Sequence, residues 1–205
     1  MQRKVFVSFR FNDGHLYKEK LCKKLAMSNN LIDCSEDKDR SNLSDSMIRD
    51  YLYAKLRQTS VTIIILTPNA IRHKKNYFGK IDDWMYDEIR YSLEDRQNNR
   101  TNGLIALYTP EVEKQLITHN YENNSIYIED VENLFRKNMM NIKEKYKHEQ
   151  RARMYDQDYD SYCSLIPFDS FINNPEKYIN IAEEKRNRIN EYKITCRLDN
   201  NIYIF

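Results

Sequence analysis

Apolar and polar positions alternate through KVFVSF, which predicts a strand over Lys4–Phe9, and the turn-prone RFNDG after it predicts a loop. From Leu16 to Ala26 the period changes. Leu16, Leu21, Cys22 and Leu25 are interleaved with Lys20, Lys23 and Lys24, as in an amphipathic helix. NLIDCS predicts a short second strand and SEDKDRSNLSDS a polar loop. Met47, Ile48, Tyr51, Leu52 and Leu56 then restore helical spacing, with Ser44 or Asp45 placed to cap the helix. SVTIIIL carries the strongest strand pattern in the chain; it is apolar at both parities, as a central parallel strand covered by helices on each side requires. A further helix within KIDDWMYDEIRYSLE and a fourth strand, GLIALY, follow.

Strands alternating with helices predict right-handed crossovers and an α/β fold, a flavodoxin-like doubly wound sheet of five parallel strands. In the order 2-1-3-4-5 such a sheet lodges ligands outside the carboxyl ends of its strands. Here that crevice falls between Ser8-Phe9-Arg10 and Leu66-Thr67-Pro68. Beyond Pro110 the alternation lapses. Val131, Leu134, Phe135, Ile142 and Tyr146 have helical spacing amid many charges, predicting one long solvent-rich helix over residues 129–155, inserted before the last strand. SYCSLIPF predicts strand five, NPEKYINIAEEKRNRINEY a closing helix, and KITCRL with NIYIF a terminal hairpin about Asp199-Asn200. Residues 1–185 form one domain with its insertion, and residues 186–205 belong to the same unit.

One carboxylate breaks the helical pattern. At about 100° per residue, Ile81, Trp84, Met85, Ile89 and Ser92 share a face, and Glu88 lies in the middle of it. On periodicity alone Glu88 reads first as a helix-edge carboxylate turned to solvent or paired with Arg10. Trp84, the only tryptophan, reads first as a core aromatic.

Composition narrows the chemistry. The 33 Lys and Arg residues against 31 Asp and Glu leave a net charge of +2, which offers no field for nucleic acid or an anionic membrane. The longest apolar run, Val61–Leu66, is far short of the roughly 20 residues a membrane span needs, so a soluble protein is expected. Cys22, Cys34, Cys163 and Cys196 make no C-x-x-C pair, and no secretory signal precedes them, which implies reduced thiols in the cytoplasm. Only Gly14, Gly79 and Gly103 occur, and neither a Rossmann fingerprint nor a Walker A loop can be built from them. His15, His73, His119 and His148 have no metal or triad spacing, and no metal or resident cofactor is expected.

Four segments carry a family resemblance. KVFVSFRFND resembles the first segment of TIR domains, a strand ending in S-[YF]-R-x-x-D; LIDCSED resembles their second strand with its aspartate; TSVTIIILTPNAI resembles the third strand; and DDWMYDEI resembles the W-x-x-x-E segment of NAD-consuming TIR enzymes. LRQTSVTIIIL with SLIPFDSFINNPEKYI looks like the TIR-like proteins of the bacterial Thoeris anti-phage system, the ThsB type, and the likeness covers most of residues 1–185. The charged loop SEDKDRSNLSDS departs from the family in lacking a glycine.

The resemblance implies cleavage of the bond between nicotinamide and ribose in NAD+, with release, cyclisation or transfer of the ADP-ribose to give a signalling nucleotide for a separate effector. NAD+ is then substrate, and self-association through TIR–TIR contacts is expected. By the same resemblance Glu88 is the catalytic carboxylate, and Ser8, Phe9, Arg10, Asp33 and Trp84 are substrate-binding candidates. Arg10 suits a pyrophosphate or the nicotinamide side, or else a salt bridge to Asp13 or Asp33. Ser8 also reads as a hydroxyl satisfying nearby backbone, and Trp84 as packing or as a pocket wall. The alternative is a non-catalytic TIR-like interaction or sensor module. A phosphoacceptor receiver domain is set aside, because Leu66-Thr67-Pro68 offers no aspartate at the end of strand three.

Overall fold

The computed structural model of the protein describes residues 3–27, 31–33, 45–71, 84–95, 100–120, 125–128, 133–147 and 156–198. Strands β1 (Arg3–Ser8), β2 (Leu31–Asp33), β3 (Val61–Leu66) and β4 (Gly103–Tyr108) alternate with helices α1 (Phe11–Ala26), α2 (Asp45–Leu56) and α3 (Trp84–Leu93). After β4 come α4 (Pro110–Leu116), β5 (Ile117–Asn120), β6 (Ser125–Ile128), α5 (Asn133–Lys137), α6 (Gln157–Asp160), β7 (Cys163–Pro167), α7 (Phe168–Asn173) and α8 (Pro175–Asn187). The main sheet has the order β2-β1-β3-β4-β7, and every neighbouring pair in it is parallel. That order reverses between β1 and β3, where a doubly wound sheet opens its ligand crevice.

Parity along the strands sorts the core into two layers. Val5, Val7, Val61, Ile63, Ile65, Ile105 and Leu107 face α1, α7 and α8, where Leu21, Leu25, Phe171, Ile179 and Ala182 close over them. Ile64, Leu66, Leu104 and Ala106 point the other way, toward Met85, Ile89 and Leu93 of α3 and Leu134 and Phe135 of α5. Phe6 of β1 shares that second side with Leu52, Leu56 and Tyr91. Every residue of β3 and β4 is buried, which is why their apolar pattern has no free parity. Thr62, the polar member of β3, is fully buried but bonded: its Oγ1 lies 2.8 Å from Ser92 Oγ and 3.3 Å from Asn102 Nδ2.

Two glycine positions show tertiary packing overriding local preference. The expected loop at RFNDG is the first turn of α1, with Gly14 inside the helix. A Cβ at Gly14 would sit 3.3 Å from Phe9 Cβ, so the close seat against Phe9 outweighs the roughly 1 kcal/mol that glycine loses to alanine in a helix. At Gly103 a Cβ would meet the Ala182 carbonyl oxygen at 2.6 Å, because α8 crosses β4 almost backbone to backbone.

The inserted segment differs from its expected form. No single helix spans residues 129–155: α5 covers only Asn133–Lys137, and a short 3-10 turn follows at Glu144–Tyr146. Asn138 ends the helix, because its side-chain amide bonds Leu134 O at 2.9 Å and Thr195 O at 2.8 Å instead of leaving the backbone to propagate. Met140 then takes a positive φ of 48°, a conformation no α-helix continues through. An antiparallel pair, β5 with β6, precedes it, in ITHN and SIYI, where the sequence pattern predicts no strand. The expected strand in KITCRL is a strap that pairs with no strand among the described residues, and Asp199–Phe205 lie outside the described residues.

Lys185 of α8 is fully buried, donating from Nζ to Gln157 O at 2.9 Å and to Ser164 Oγ at 2.7 Å. Burial lowers its ammonium from the ordinary 10.5 to about 8, with Asp158 partly opposing the shift. Among the described residues no helix is long and apolar enough to cross a membrane.

Candidate active site

The carboxyl end of β1 delivers Ser8, Phe9 and Arg10 to the crevice. Ser8 shares the parity of Phe6, so its side chain leaves the sheet on the side covered by α2 and α3. It is 2 % exposed, and its Oγ has no hydrogen-bond partner among the described residues. A buried unpaired hydroxyl costs about 1–3 kcal/mol, so this is an unusual place to keep a serine. Among the described residues no backbone group takes that hydroxyl, which the sequence suggests as one of its roles.

Phe9 leaves on the opposite side, packs at the edge of the α1 layer, and lies 6.5 Å from the ring of Phe11. Arg10 caps α1 with extended backbone, its carbonyl accepting from Gly14 N at 2.7 Å. Its Nε and Nη2 are shielded from solvent, so the guanidinium lies sunk into the rim.

Asp13 stitches the crevice. Its Oδ1 accepts from Thr67 Oγ1 at 2.7 Å and its Oδ2 from Asn69 N at 2.8 Å, joining the first turn of α1 to the loop after β3. Sequence reasoning offers Asp13 only as a partner for Arg10. The signal is present in S-[YF]-R-x-x-D, whose last position is Asp13 and falls in the first turn of a helix, where a carboxylate is favoured. Farther along the rim, Tyr17 Oη donates to Glu111 Oε1 at 2.5 Å and its ring packs edge-on against Phe168. Burial together with Glu111 pushes the Tyr17 phenol up to about 12, and the same bond holds Glu111 below the usual carboxylate range.

Glu88 enters from α3. Met85, Glu88, Ile89 and Ser92 are all buried, so this part of the face predicted from periodicity is laid on the sheet, while Ile81 and the Trp84 side chain lie outside the described residues. Glu88 is 9 % exposed. Its height above the sheet follows from two anchors. Ser92 Oγ donates to Glu88 O at 2.7 Å and lies 2.8 Å from Thr62 Oγ1, which fixes Ser92 over Thr62. The helix runs antiparallel to β3, so Glu88 lies one turn, about 5.4 Å, nearer the carboxyl end. Ser8 pairs with Ile64, the next β3 residue after Thr62 on the same face and about 6.6 Å nearer that end. The second anchor is Tyr91 packed with Phe6: three helix residues back from Tyr91 is Glu88, and two strand residues on from Phe6 is Ser8. Both routes put Glu88 and Ser8 at about the same level along the strands, on the same face.

Neighbouring bonds make α3 a rigid carrier. Tyr53 and Tyr91 stack at 3.8 Å, Arg90 donates to Tyr53 Oη at 2.6 Å, and Arg57 donates to Tyr91 Oη at 2.8 Å, which locks α2 to α3. Trp84 is the first residue of α3, and its side chain lies outside those described. Asp33 ends β2 opposite Val5, about 10 Å short of the level of Ser8 along β1, and its side chain also lies outside those described. The geometry therefore places Ser8 and Glu88 on one face at about the same level along the strands, sets Arg10 and Phe9 at the rim, and does not bring Asp33 to that level. Among the described residues no group of three His, Cys, Asp or Glu is placed to hold a metal ion.

No protein-family model matches the sequence, and no curated protein matches it significantly.

Proposed function

We propose that the protein is a TIR-like NAD+ nucleosidase and cyclase, one that cleaves the nicotinamide–ribose bond and makes an ADP-ribose-derived signalling nucleotide in anti-phage defence. The observation that carries this reading is buried Glu88 at about the level, and on the face, of the Ser8 hydroxyl that the described residues leave unbonded, at the carboxyl end of a parallel sheet. Supporting it are the four TIR-like segments and the strand order with its switch between β1 and β3.

The chemistry suits so sparse a site. Nicotinamide leaves the cationic pyridinium as a neutral molecule, so the departing group needs little acid catalysis. What remains is an oxocarbenium-like ribose, and one carboxylate beside it stabilises the growing positive charge and accepts from the ribose hydroxyls. Glu88 takes that role. Ser8 holds a ribose hydroxyl, and Arg10 at the rim takes the pyrophosphate. Whether water or an acceptor group of the substrate then attacks decides between linear and cyclic product. A diffusible product would carry the signal to a separate effector in the cytoplasm.

The test is nicotinamide release from NAD+ by the purified protein at low and high concentration, beside Glu88→Gln. Release that rises steeply with concentration and disappears in the variant is expected, since TIR–TIR self-association belongs to the reading. Release unchanged in the variant removes Glu88 from the chemistry. No release at any concentration, nor in phage-challenged cells, leaves the non-catalytic interaction module.

A further inference from the structure

A strap of chain after α8 connects the inserted segment to the helix that bears Glu88. Lys193–Leu198 runs outside any helix or strand, with a bend at Arg197, and its Ile194, Cys196 and Leu198 are half-buried against the core cluster that holds Met85, Ile89 and Leu93 of α3. Among the described residues it has no partner strand: an isolated antiparallel bridge between Ile142 and Tyr192 leads into it, and side-chain amides then take a strand's place. Asn138, fully buried, donates from Nδ2 to Thr195 O at 2.8 Å and accepts from Thr195 N at 2.9 Å, the two-way exchange that a neighbouring strand residue would make. Asn141 adds a second such pair with Lys193, its Nδ2 donating to Lys193 O at 2.9 Å and its backbone carbonyl accepting from Lys193 N at 2.8 Å. The far half of the strap grips α3. Cys196 Sγ donates to Leu93 O at 3.3 Å, Arg197 bonds Glu94 Oε1 through Nε at 3.1 Å and Nη2 at 3.0 Å, and Leu198 N donates to Tyr86 Oη at 3.4 Å.

The grip spans both ends of the helix, from Tyr86 to Glu94, with Glu88 between them. Sheet packing through Met85, Ile89 and Leu93 fixes the distance of α3 from the sheet, and the Ser92–Thr62 contact holds the helix at one point along β3, but the apolar face itself adds little resistance to sliding or pivoting about that point, because dispersion and burial are not directional. Directional bonds at both ends resist it. We propose that Asn138 and Arg197 are positioning residues, which act through the Lys193–Leu198 strap to set where α3 places Glu88 along the sheet. The proposal rests on the reading of Glu88 as the catalytic carboxylate. The inserted segment thereby gains a structural role, because it supplies the amides that hold the strap.

The test uses the full chain with Arg197→Met, Arg197→Lys and Asn138→Ala. Trp84 is the only tryptophan and opens α3, so intrinsic emission reports on that helix whether or not the protein is active. Arg197→Met is expected to speed amide exchange in α3 about two- to fivefold, and Asn138→Ala on the order of tenfold, with α1 unchanged. Both are expected to shift the Trp84 emission maximum and to lower kcat for nicotinamide release with KM unchanged, since a displaced Glu88 loses a contact that matures in the transition state. Arg197→Lys restores most of the loss. Unchanged α3 exchange and emission in Arg197→Met overturn the proposal, even if Asn138→Ala fails to fold. Faster exchange with full kcat overturns the link to Glu88. If the wild type releases no nicotinamide the functional reading falls, and exchange and emission alone decide whether the strap fixes α3.

Discussion

Replacing Lys185 by methionine keeps an unbranched side chain one atom shorter and removes its charge, so it tests what a buried ammonium does to stability. In the folded protein burial holds this group near 8, against 10.5 in the unfolded chain. The folded pKa is the lower of the two, so between them the unfolded chain binds more protons and stability rises with pH. Below about 8 the full penalty is present; two to three pKa units at 1.36 kcal/mol each make it on the order of 3 kcal/mol. From pH 7.5 to 9.5 the wild type should gain about 2 kcal/mol relative to Lys185→Met. Other groups titrate in the same range. Burial raises the Cys196 thiol, and the Tyr17 and Tyr192 phenols are pushed up to about 12, each a group whose stabilisation is lost as pH climbs. The difference between the two proteins cancels those contributions, because none of those groups changes. The assay is urea unfolding at pH 7.5, 8.5 and 9.5. At pH 7.5 the variant trades the ammonium penalty against about 1 kcal/mol for each of the two acceptors it leaves, Gln157 O and Ser164 Oγ, and comes out level with the wild type or above it. At pH 9.5 the order reverses. Parallel pH profiles would refute the reasoning and show that the Lys185 ammonium is not disfavoured by its surroundings.

Glu88→Gln is expected to lower kcat for nicotinamide release at least about 100-fold while leaving urea stability within about 1 kcal/mol, read by product release and unfolding side by side. Ser8→Ala should leave stability unchanged or raise it by about 1 kcal/mol, because it deletes a buried hydroxyl that the described residues leave unbonded, and should raise KM for NAD+; a loss of stability would show that the hydroxyl is already satisfied. Asp13→Ala removes both bonds to the Thr67–Asn69 loop and is expected to cost about 2 kcal/mol and to speed amide exchange in that loop before anywhere else. Gly103→Ala drives a methyl into the Ala182 carbonyl and should cost about 1–3 kcal/mol in thermal or urea unfolding, whereas relief by local movement of α8 would appear as an unchanged midpoint.

The chain by itself determined the elements whose pattern has one physical cause. SVTIIIL and GLIALY are buried at both parities, and only a central parallel strand covered on each side asks for that. The buried face of α3 was legible for the same reason: a period near 3.6 with Met85, Ile89 and Ser92 in step leaves Glu88 on the core side whatever it packs against. Where local preference and packing compete, the sequence was silent. Gly14 reads as a turn residue, and only the seat of Phe9 against it makes it helical. Charges and spaced apolar residues after Val131 read as one long helix, and only the bonds of Asn138 to the distant Thr195 stop it at Lys137. KITCRL alternates as a strand does, but its partners are amides from the inserted segment rather than a strand. The level at which Glu88 meets Ser8 was beyond the sequence too. It depends on the register of β1 with β3 and on a Ser92–Thr62 contact between residues thirty positions apart, and such contacts exist only once the chain has closed on itself.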